Sequence, residues 1–168
     1  MNQQDIKSVV AILMGSERDY EVMSEAKRVL DEFGVANEVA VISAHRSPEL
    51  CREFTLNAAG RGIKVIIAGA GKAAHLAGVV ASLTTIPVIG VPLDAGMSGL
   101  DALLSMVQMP AGVPVATMAV GRAGAVNAGL MAIAILALSD GTLAEKLREF
   151  RRKQAEEIKA KSGLIKTG

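Results

Sequence analysis

Short apolar runs that alternate with stretches of helical spacing constrain the fold of this chain more than any other feature. The runs lie at about 9–14, 38–42, 64–68, 87–91 and 113–119, and small residues or turn formers follow them. Apolar strands covered on both faces are typical of parallel sheets, and strands that alternate with helices indicate an α/β fold. Right-handed crossovers restrict the strand order. We expect a three-layer α/β/α domain with a flavodoxin-like five-stranded parallel sheet in the order 2-1-3-4-5.

The segments between the strands carry helix start and stop signals. The first predicted helix, about 17–33, has one apolar stripe and stops at Gly34. The second begins at Ser47 and Pro48, which suit an N-cap and a first helical position. The last, about 142–159, begins with Thr142 and Glu145 at capping-box spacing. We expect a single domain over 1–168, with its core at about 9–139, this C-terminal helix, and a short tail to 168.

The distribution of charge makes the middle of the chain unusually apolar. Between Ala73 and Leu138 the charged residues are Asp94, Asp101 and Arg122 alone, and 51% of the whole chain is hydrophobic. Uncharged runs of this length raise the possibility of a membrane span, but prolines and glycines interrupt them. Large interfaces between identical subunits resemble a core cut in half. We therefore expect a tight homo-oligomer, with membrane insertion as the poorer alternative.

Composition argues against several classes of partner and cofactor. The net charge is +1, and aromatic residues are 2% with no Trp, which disfavours nucleic acid and an anionic membrane surface. Two histidines and one cysteine, without a ligand-spaced pair, disfavour a metal site. Cys51 has no disulfide partner within the chain, which favours the cytoplasm, and no signal peptide is evident.

Both histidines follow predicted strands. His45 comes after the second strand, and His75 comes after the third, at the end of a glycine-rich turn at 69–75 that lets a ligand approach the main chain. Ligands of open α/β sheets bind outside the carboxyl ends of the strands, so His45 is a candidate proton carrier at neutral pH. The alternative is structural: His45 caps a helix and His75 packs in the core.

Residues after the first two strands suit an anionic ligand. Gly15 and Ser16 offer backbone N–H groups and a hydroxyl for phosphate or carboxylate. Asp19 is placed to accept from ribose hydroxyls, or else only to compensate a helix dipole. Ser43 and Arg46 pair a hydroxyl with a guanidinium, which binds phosphate through parallel hydrogen bonds. The sequence therefore predicts a site for a small phosphorylated nucleotide-like ligand.

Three longer motifs resemble those of the PurE family of purine biosynthesis. They read Gly15-Ser16-x-x-Asp19, Ser43-Ala44-His45-Arg46-x-Pro48 and Ala68-Gly69-Ala70-Gly71-x-Ala73-Ala74-His75-Leu76. The resemblance runs from about 9 to 153. The Gly-Ala-Gly and His-Leu of the third motif are similar to the branch that rearranges N5-carboxyaminoimidazole ribonucleotide, rather than to the carboxylase branch, which takes CO2 directly.

The resemblance implies an octamer with sites at subunit contacts and with neither a metal nor an organic cofactor. It implies that a carboxylate moves from the exocyclic N5 to ring C4 of an aminoimidazole ribonucleotide by way of CO2, with His45 as the proton carrier. Phosphate would bind Ser16, Ser43 and Arg46, and ribose Asp19, while the third turn would confine CO2. The implied substrate-binding residues are Gly15, Ser16, Asp19, Ser43, Ala44, Arg46, Ala70, Gly71, Lys72, His75 and Leu76.

Four residues depart from the family pattern. Arg18 and Tyr20 replace a serine and a tryptophan, Lys72 replaces a glycine, and Ala77 replaces a proline. The two added cations would tighten binding of the ribonucleotide, or else mark a different anionic ligand. Because a fold does not fix a function, the alternative to an enzyme is a nucleotide-binding regulatory or scaffold protein.

Overall fold

A computed structural model describes residues 8–162 and has the sheet that the sequence predicts. Five parallel strands lie in the order β2-β1-β3-β4-β5. The strands are β1 (Val10–Met14), β2 (Asn37–Val41), β3 (Val65–Gly71), β4 (Val88–Leu93) and β5 (Ala116–Thr117). This order confirms the flavodoxin-like prediction and makes the ends of β1 and β3 neighbours at the switch point.

Within residues 8–162, six α-helices connect or follow the strands. They are α1 (Tyr20–Phe33), α2 (Pro48–Arg61), α3 (Leu76–Leu83), α4 (Leu100–Val107), α5 (Arg122–Ala137) and α6 (Gly141–Lys161). Single 3-10 turns at Glu17–Asp19 and Met97–Gly99 precede α1 and α4. Within residues 8–162, the helices are too short or too polar for a membrane span.

Alternate residues of β1 divide the core into two layers. Ile12 and Met14 face the helices α1 and α5, and that cluster includes Met23 and Ile133. Leu13 faces the other side, with residues of α2, α3 and α4. Every residue of β1 is buried, as a central parallel strand covered on both faces requires. The last helix continues to Lys161, into the predicted tail, and the part of that tail beyond residue 162 lies outside the described residues.

The third strand is longer than predicted. Residues 69–71 were expected in a turn, but they extend β3, and Gly71 pairs with Leu93 of β4. A Cβ atom at position 69 would lie 2.3 Å from Met23 Sδ. Gly69 therefore lets α1 pack closely on the sheet, and β3 delivers the following loop two residues beyond the end of β1.

The fifth strand is much shorter than the predicted 113–119. It pairs with β4 only through Ile89 with Ala116 and Gly90 with Thr117. Proline has no N–H to donate to a sheet, and Pro114 lies two residues before the start of this strand. The ladder is therefore confined to two residues.

The last helix begins at a different cap from the one predicted. The Asp140 carboxylate accepts hydrogen bonds from the N–H groups of Thr142 and Leu143, at 2.9 and 3.1 Å. The prediction of a capping box at Thr142 and Glu145 is therefore wrong, because the N-cap residue, Asp140, lies two positions before Thr142. The helix α6 packs mainly on α5 and also reaches α1, where Phe150 meets Phe33 edge-on at a centroid distance of 5.8 Å.

Candidate active site

The carboxyl ends of the first four strands surround a cavity of about 700 Å³. The structure brings all of the residues predicted for the site to its lining. They are Gly15, Ser16, Asp19, Ser43, Ala44, His45, Arg46, Ala70, Gly71, Lys72, His75 and Leu76. Arg18, Ala73, Asp94 and Ala95 line it as well. The sequence prediction did not include Asp94 and Ala95, although they follow β4, whose end lies at the same edge of the sheet.

The two histidines form a pair in this cavity. His45 Nε2 lies 2.9 Å from His75 Nδ1, and the two rings meet edge-on with centroids 4.9 Å apart. Both side chains are exposed to the cavity. One nitrogen of the pair must be deprotonated to accept this hydrogen bond. The pair can therefore hold a single proton between its rings.

The structural alternatives for the histidines are wrong. Ser47, not His45, occupies the N-cap position of α2. His75 is exposed instead of packed in the core, and its side chain caps no N–H of α3. Neither ring is therefore needed to complete a helix or the core, which leaves both available for a ligand.

Arg46 is held between the ends of β1 and β2. Its guanidinium donates to the Gly15 carbonyl oxygen and, through Nε, to Ser43 Oγ at 3.3 Å. The Arg46 backbone N–H also donates to Ser43 Oγ, at 3.2 Å. A smaller pocket of about 430 Å³ adjoins this end of the cavity and shares Ser16, Ser43 and Arg46 with it, together with the Arg18 side chain. Two cations (Arg18 and Arg46) and three serine residues line this pocket together with Glu17, and the two guanidinium groups suit it to phosphate.

Ser47 closes the turn that presents His45 and Arg46. Its hydroxyl donates to the Ser43 carbonyl oxygen at 3.0 Å and accepts from the Ser43 N–H at 3.3 Å. The hydroxyl makes no hydrogen bond to the N–H groups of α2, so the predicted capping interaction is wrong although the position is right. The serine stabilises the turn of the site in place of the helix end.

Asp19 lines the large cavity and is half-buried. Burial raises the pKa of this carboxyl, while a backbone hydrogen bond with Ser16 and the charge of Arg46 act in the opposite direction. An acceptor that is partly removed from water gains more from a ligand hydroxyl than a fully hydrated one would. This environment suits the predicted contact with ribose.

Lys72 follows β3 and lines the side of the cavity away from Arg46. Its φ angle is 56°, in the left-handed region that glycine adopts most readily. A Cβ at the preceding Gly71 would lie 2.7 Å from Ala95 Cβ, so the loop after β4 restricts this turn. A lysine can adopt the left-handed conformation at a modest energetic cost, and the glycine that the family has at position 72 is not required for this turn.

Metal binding and thiol chemistry have little support in this cavity. Across residues 8–162, there is no group of three or more histidine, cysteine or acidic side chains arranged for a metal ion. Cys51 is buried in α2, and burial raises the pKa of its thiol. A buried thiol with a raised pKa is a poor nucleophile.

The fold and the site together define a class of protein. A flavodoxin-like sheet carries, over its switch point, a cationic cavity with two hydrogen-bonded histidines. Such a site can bind a phosphorylated ligand and transfer protons on it.

Comparison with known proteins identifies the family within this class. The family model described as AIR carboxylase matches residues 9–157, and the chain belongs to that family. It is 51% identical over 157 residues to the N5-carboxyaminoimidazole ribonucleotide mutase of Pyrococcus horikoshii, covering 93% of this chain and 88% of that protein. It is 53% identical over 154 residues to the mutase of the same name from Bacillus subtilis, covering 91% and 95%.

A solved structure agrees with this assignment. The crystal structure of Treponema denticola PurE superposes with a TM-score of 0.85 at 26% sequence identity, covering 94% of this chain and 98% of that one. The prediction of a PurE-like protein, made from the three sequence motifs, is thereby confirmed.

Proposed function

We propose that this protein is an N5-carboxyaminoimidazole ribonucleotide mutase, which moves a carboxylate from the exocyclic N5 of the ribonucleotide to ring carbon C4. The observation that carries the proposal is the His45–His75 pair, which joins the turn after β2 to the loop after β3 within the cavity. The relatives that share about half of its residues bear this name.

The reaction needs one proton carrier and no oxidant or reductant. The N5–carboxylate bond breaks to give CO2, and N5 takes a proton from His45. Carbon C4 then attacks the retained CO2, and the proton on C4 returns to His45, so that proton and charge balance over the cycle. His75 Nδ1, at 2.9 Å from His45 Nε2, holds the ring and its proton in place before the substrate arrives.

The remaining residues bind the substrate and exclude water. Ser16, Ser43 and Arg46 hold the phosphate, and Asp19 accepts from the ribose hydroxyls. Gly15 and Ala44 bring the backbone close to the ligand. The apolar walls of the cavity (Ala70, Ala73 and Leu76) keep CO2 near C4, where confinement in place of free diffusion accelerates recapture.

The protein assembles as a homo-oligomer, an octamer by analogy with the family. The support is an apolar stripe on α4 and the turn before it, made by Met97, Leu100, Leu104 and Val107, which are 75%, 51%, 48% and 52% exposed. Residues four and seven positions apart share one helix face, and an isolated subunit would leave this stripe in water. We place the protein in the cytoplasm, because its single cysteine is a buried free thiol.

An assay of the purified protein with N5-carboxyaminoimidazole ribonucleotide tests the proposal. We expect the C4-carboxylated product at a rate far above that of a sample without protein. Tight nucleotide binding without product would favour the regulatory or scaffold alternative.

A further inference from the structure

A lysine side chain at the end of β3 is the cationic group of the cavity that phosphate binding does not use. We propose that Lys72 binds the migrating carboxylate of the nucleotide, and that it makes the cavity select carboxylated over decarboxylated ribonucleotides. This inference rests on the proposed function and assigns a specificity-determining role to a residue that the family has as glycine.

The first support is the position of Lys72 relative to the phosphate pocket. Arg46 follows β2 and Ser16 follows β1, whereas Lys72 follows β3, on the opposite side of β1 from β2. Neighbouring strands are about 4.8 Å apart, so roughly 10 Å of sheet separates the ends of β2 and β3. The small pocket that suits phosphate includes Arg18, Ser43 and Arg46 but not Lys72. A phosphate held there leaves Lys72 for another group of the same ligand.

The second support is the set of partners of each cation. The Arg46 guanidinium is held by the Gly15 carbonyl oxygen and by Ser43 Oγ. None of the ion pairs formed within residues 8–162 includes Lys72, and the longest N···O distance among those pairs is 3.5 Å. The neighbouring acid, Asp94, accepts instead from the Gly96 N–H at 3.3 Å. Lys72 is therefore an exposed residue of the cavity lining that forms no ion pair with a carboxylate of residues 8–162.

The third support is the backbone that carries the side chain. Lys72 has a φ of 56°, which is uncommon for a residue other than glycine, asparagine or aspartate. Such conformations persist where the surrounding structure imposes them, and they often occur at ligand sites. Here the contact between Gly71 and Ala95 restricts the turn. The lysine is thus held at the cavity wall by a turn that does not depend on its own side chain.

The chemistry of the ligand supplies the matching anion. The nucleotide carries two anionic groups, phosphate at one end and a carboxylate on or beside the ring. With the phosphate at Arg46 and the ring beside His45 and His75, the carboxylate lies toward β3. An ammonium is a compact charge on a flexible stem, and it can follow a carboxylate from N5 to the nearby C4. Its attraction to neutral CO2 is much weaker, so it favours the two carboxylated species over the decarboxylated one.

Binding measurements with two nucleotides test this role. Calorimetry would measure the affinities of the C4-carboxylated and the decarboxylated aminoimidazole ribonucleotides for the unaltered protein, for Lys72→Asn and for Lys72→Arg. Asparagine tolerates a positive φ but carries no charge. We expect Lys72→Asn to lower the affinity for the carboxylated nucleotide by about tenfold, as for loss of one charged hydrogen bond. The affinity for the decarboxylated nucleotide should fall by less than about twofold. Lys72→Arg should restore most of the selectivity.

Arg18→Gln is the matched control, because Arg18 lies at the phosphate end. Arg18→Gln should lower the affinities for both nucleotides by a similar factor. Equal losses for both nucleotides in Lys72→Asn, or no loss for either, would overturn the assignment. Failure of the unaltered protein to bind either nucleotide would instead refute the proposed function, so the two failures are distinguishable. If Lys72→Asn does not fold, Lys72→Gly gives the same comparison without the cost of the positive φ.

Discussion

His45 Nε2 and His75 Nδ1 lie 2.9 Å apart, although 30 positions separate the two residues in the chain. The contact exists because β1 lies between β2 and β3 in the sheet, which places the turns after β2 and β3 on opposite sides of one cavity. The paired nitrogens bind one proton between them, as a reversible transfer to N5 and from C4 requires.

Replacing His45 by asparagine tests its role as the proton carrier. His45→Asn keeps a polar side chain of similar reach but cannot transfer a proton near neutral pH. We expect turnover to fall by about 10²- to 10⁴-fold, as for loss of a general acid–base. Affinity for the decarboxylated nucleotide should stay within about threefold, because the phosphate contacts remain. Undiminished turnover would contradict the proton role.

His75 is expected to position His45 rather than to react. His75→Ala removes the hydrogen bond to His45 Nε2 and leaves the cationic pocket intact. We expect kcat to fall by about tenfold, as for loss of one orienting hydrogen bond, with little change in KM. His75→Asn, which offers an amide to the same nitrogen, should recover part of kcat. Equal losses in the two variants would argue against positioning through that bond.

Arg46 should act through the phosphate. We expect Arg46→Ala to weaken ribonucleotide binding by about 10- to 100-fold, because a charged hydrogen bond to phosphate is lost. The corresponding nucleoside, which lacks the phosphate, should bind equally well before and after the change. Arg52→Ala, an exposed arginine of α2 outside the cavity lining, is the control and should leave both ligands unaffected. A loss of nucleoside affinity in Arg46→Ala would show that the arginine does not act through phosphate.

The Asp19 carboxylate should lower the stability of the folded protein at neutral pH, although it contributes to ribonucleotide binding. Burial raises the pKa of its carboxyl in the folded protein, so the folded state favours the protonated form. The protonated carboxyl therefore contributes to the stability of the folded state. This contribution is complete below the pKa of Asp19 in the unfolded chain, near pH 4, and is lost as the pH rises through its pKa in the folded protein. Asp19→Asn should therefore raise the melting temperature at neutral pH, and the gain should disappear at about pH 3 to 4.

Ligand affinity separates the two effects of that substitution. Asp19→Asn should bind the ribonucleotide more weakly than the unaltered protein at pH 7, because the amide is a weaker acceptor for ribose hydroxyls than a carboxylate is. A lower melting temperature for Asp19→Asn at neutral pH would contradict the sign that burial gives to the pKa of this group.

The stripe on α4 should be an interface between subunits. Leu104 is 48% exposed in the isolated chain, and Leu104→Glu would bury a carboxylate against apolar partners in an oligomer. We expect light scattering after size exclusion to show an octamer for the unaltered protein and smaller species for Leu104→Glu. Ile158→Glu, on the exposed half of α6, is a control at a second exposed apolar residue. An unchanged mass for Leu104→Glu would exclude this stripe from the interface.

Sequence alone was sufficient for the strand order and for most of the cavity lining. Strands and helices alternate clearly, and Ser16, His45 and His75 lie in the turns that follow apolar runs, so parallel geometry places them together. The extent of β3 was less accessible, because residues 69–71 look like a turn until the packing of Gly69 on Met23 is known. In the same way, the local sequence allows the Ser47 hydroxyl to hydrogen-bond either with the helix N–H groups or with the Ser43 carbonyl oxygen. The tertiary geometry determines that it bonds with Ser43.

Other features of the site depend on contacts between distant segments. Asp94 and Ala95 follow the fourth strand, but nothing in their local sequence indicates that the loop after β4 faces the loop after β3. The short β5 follows from the lack of a donor at Pro114 and from pairing on one side alone, whereas its local sequence favoured a longer strand.

The measurement that tests the central claim most directly is a paired assay of the purified protein. One reaction supplies the N5-carboxylated ribonucleotide, and the other supplies the decarboxylated ribonucleotide with bicarbonate at low CO2. We predict rapid formation of the C4-carboxylated product in the first reaction and little in the second. Efficient product formation in the second reaction would contradict the mutase assignment in favour of direct carboxylation. The absence of product from both would contradict catalysis of this rearrangement altogether.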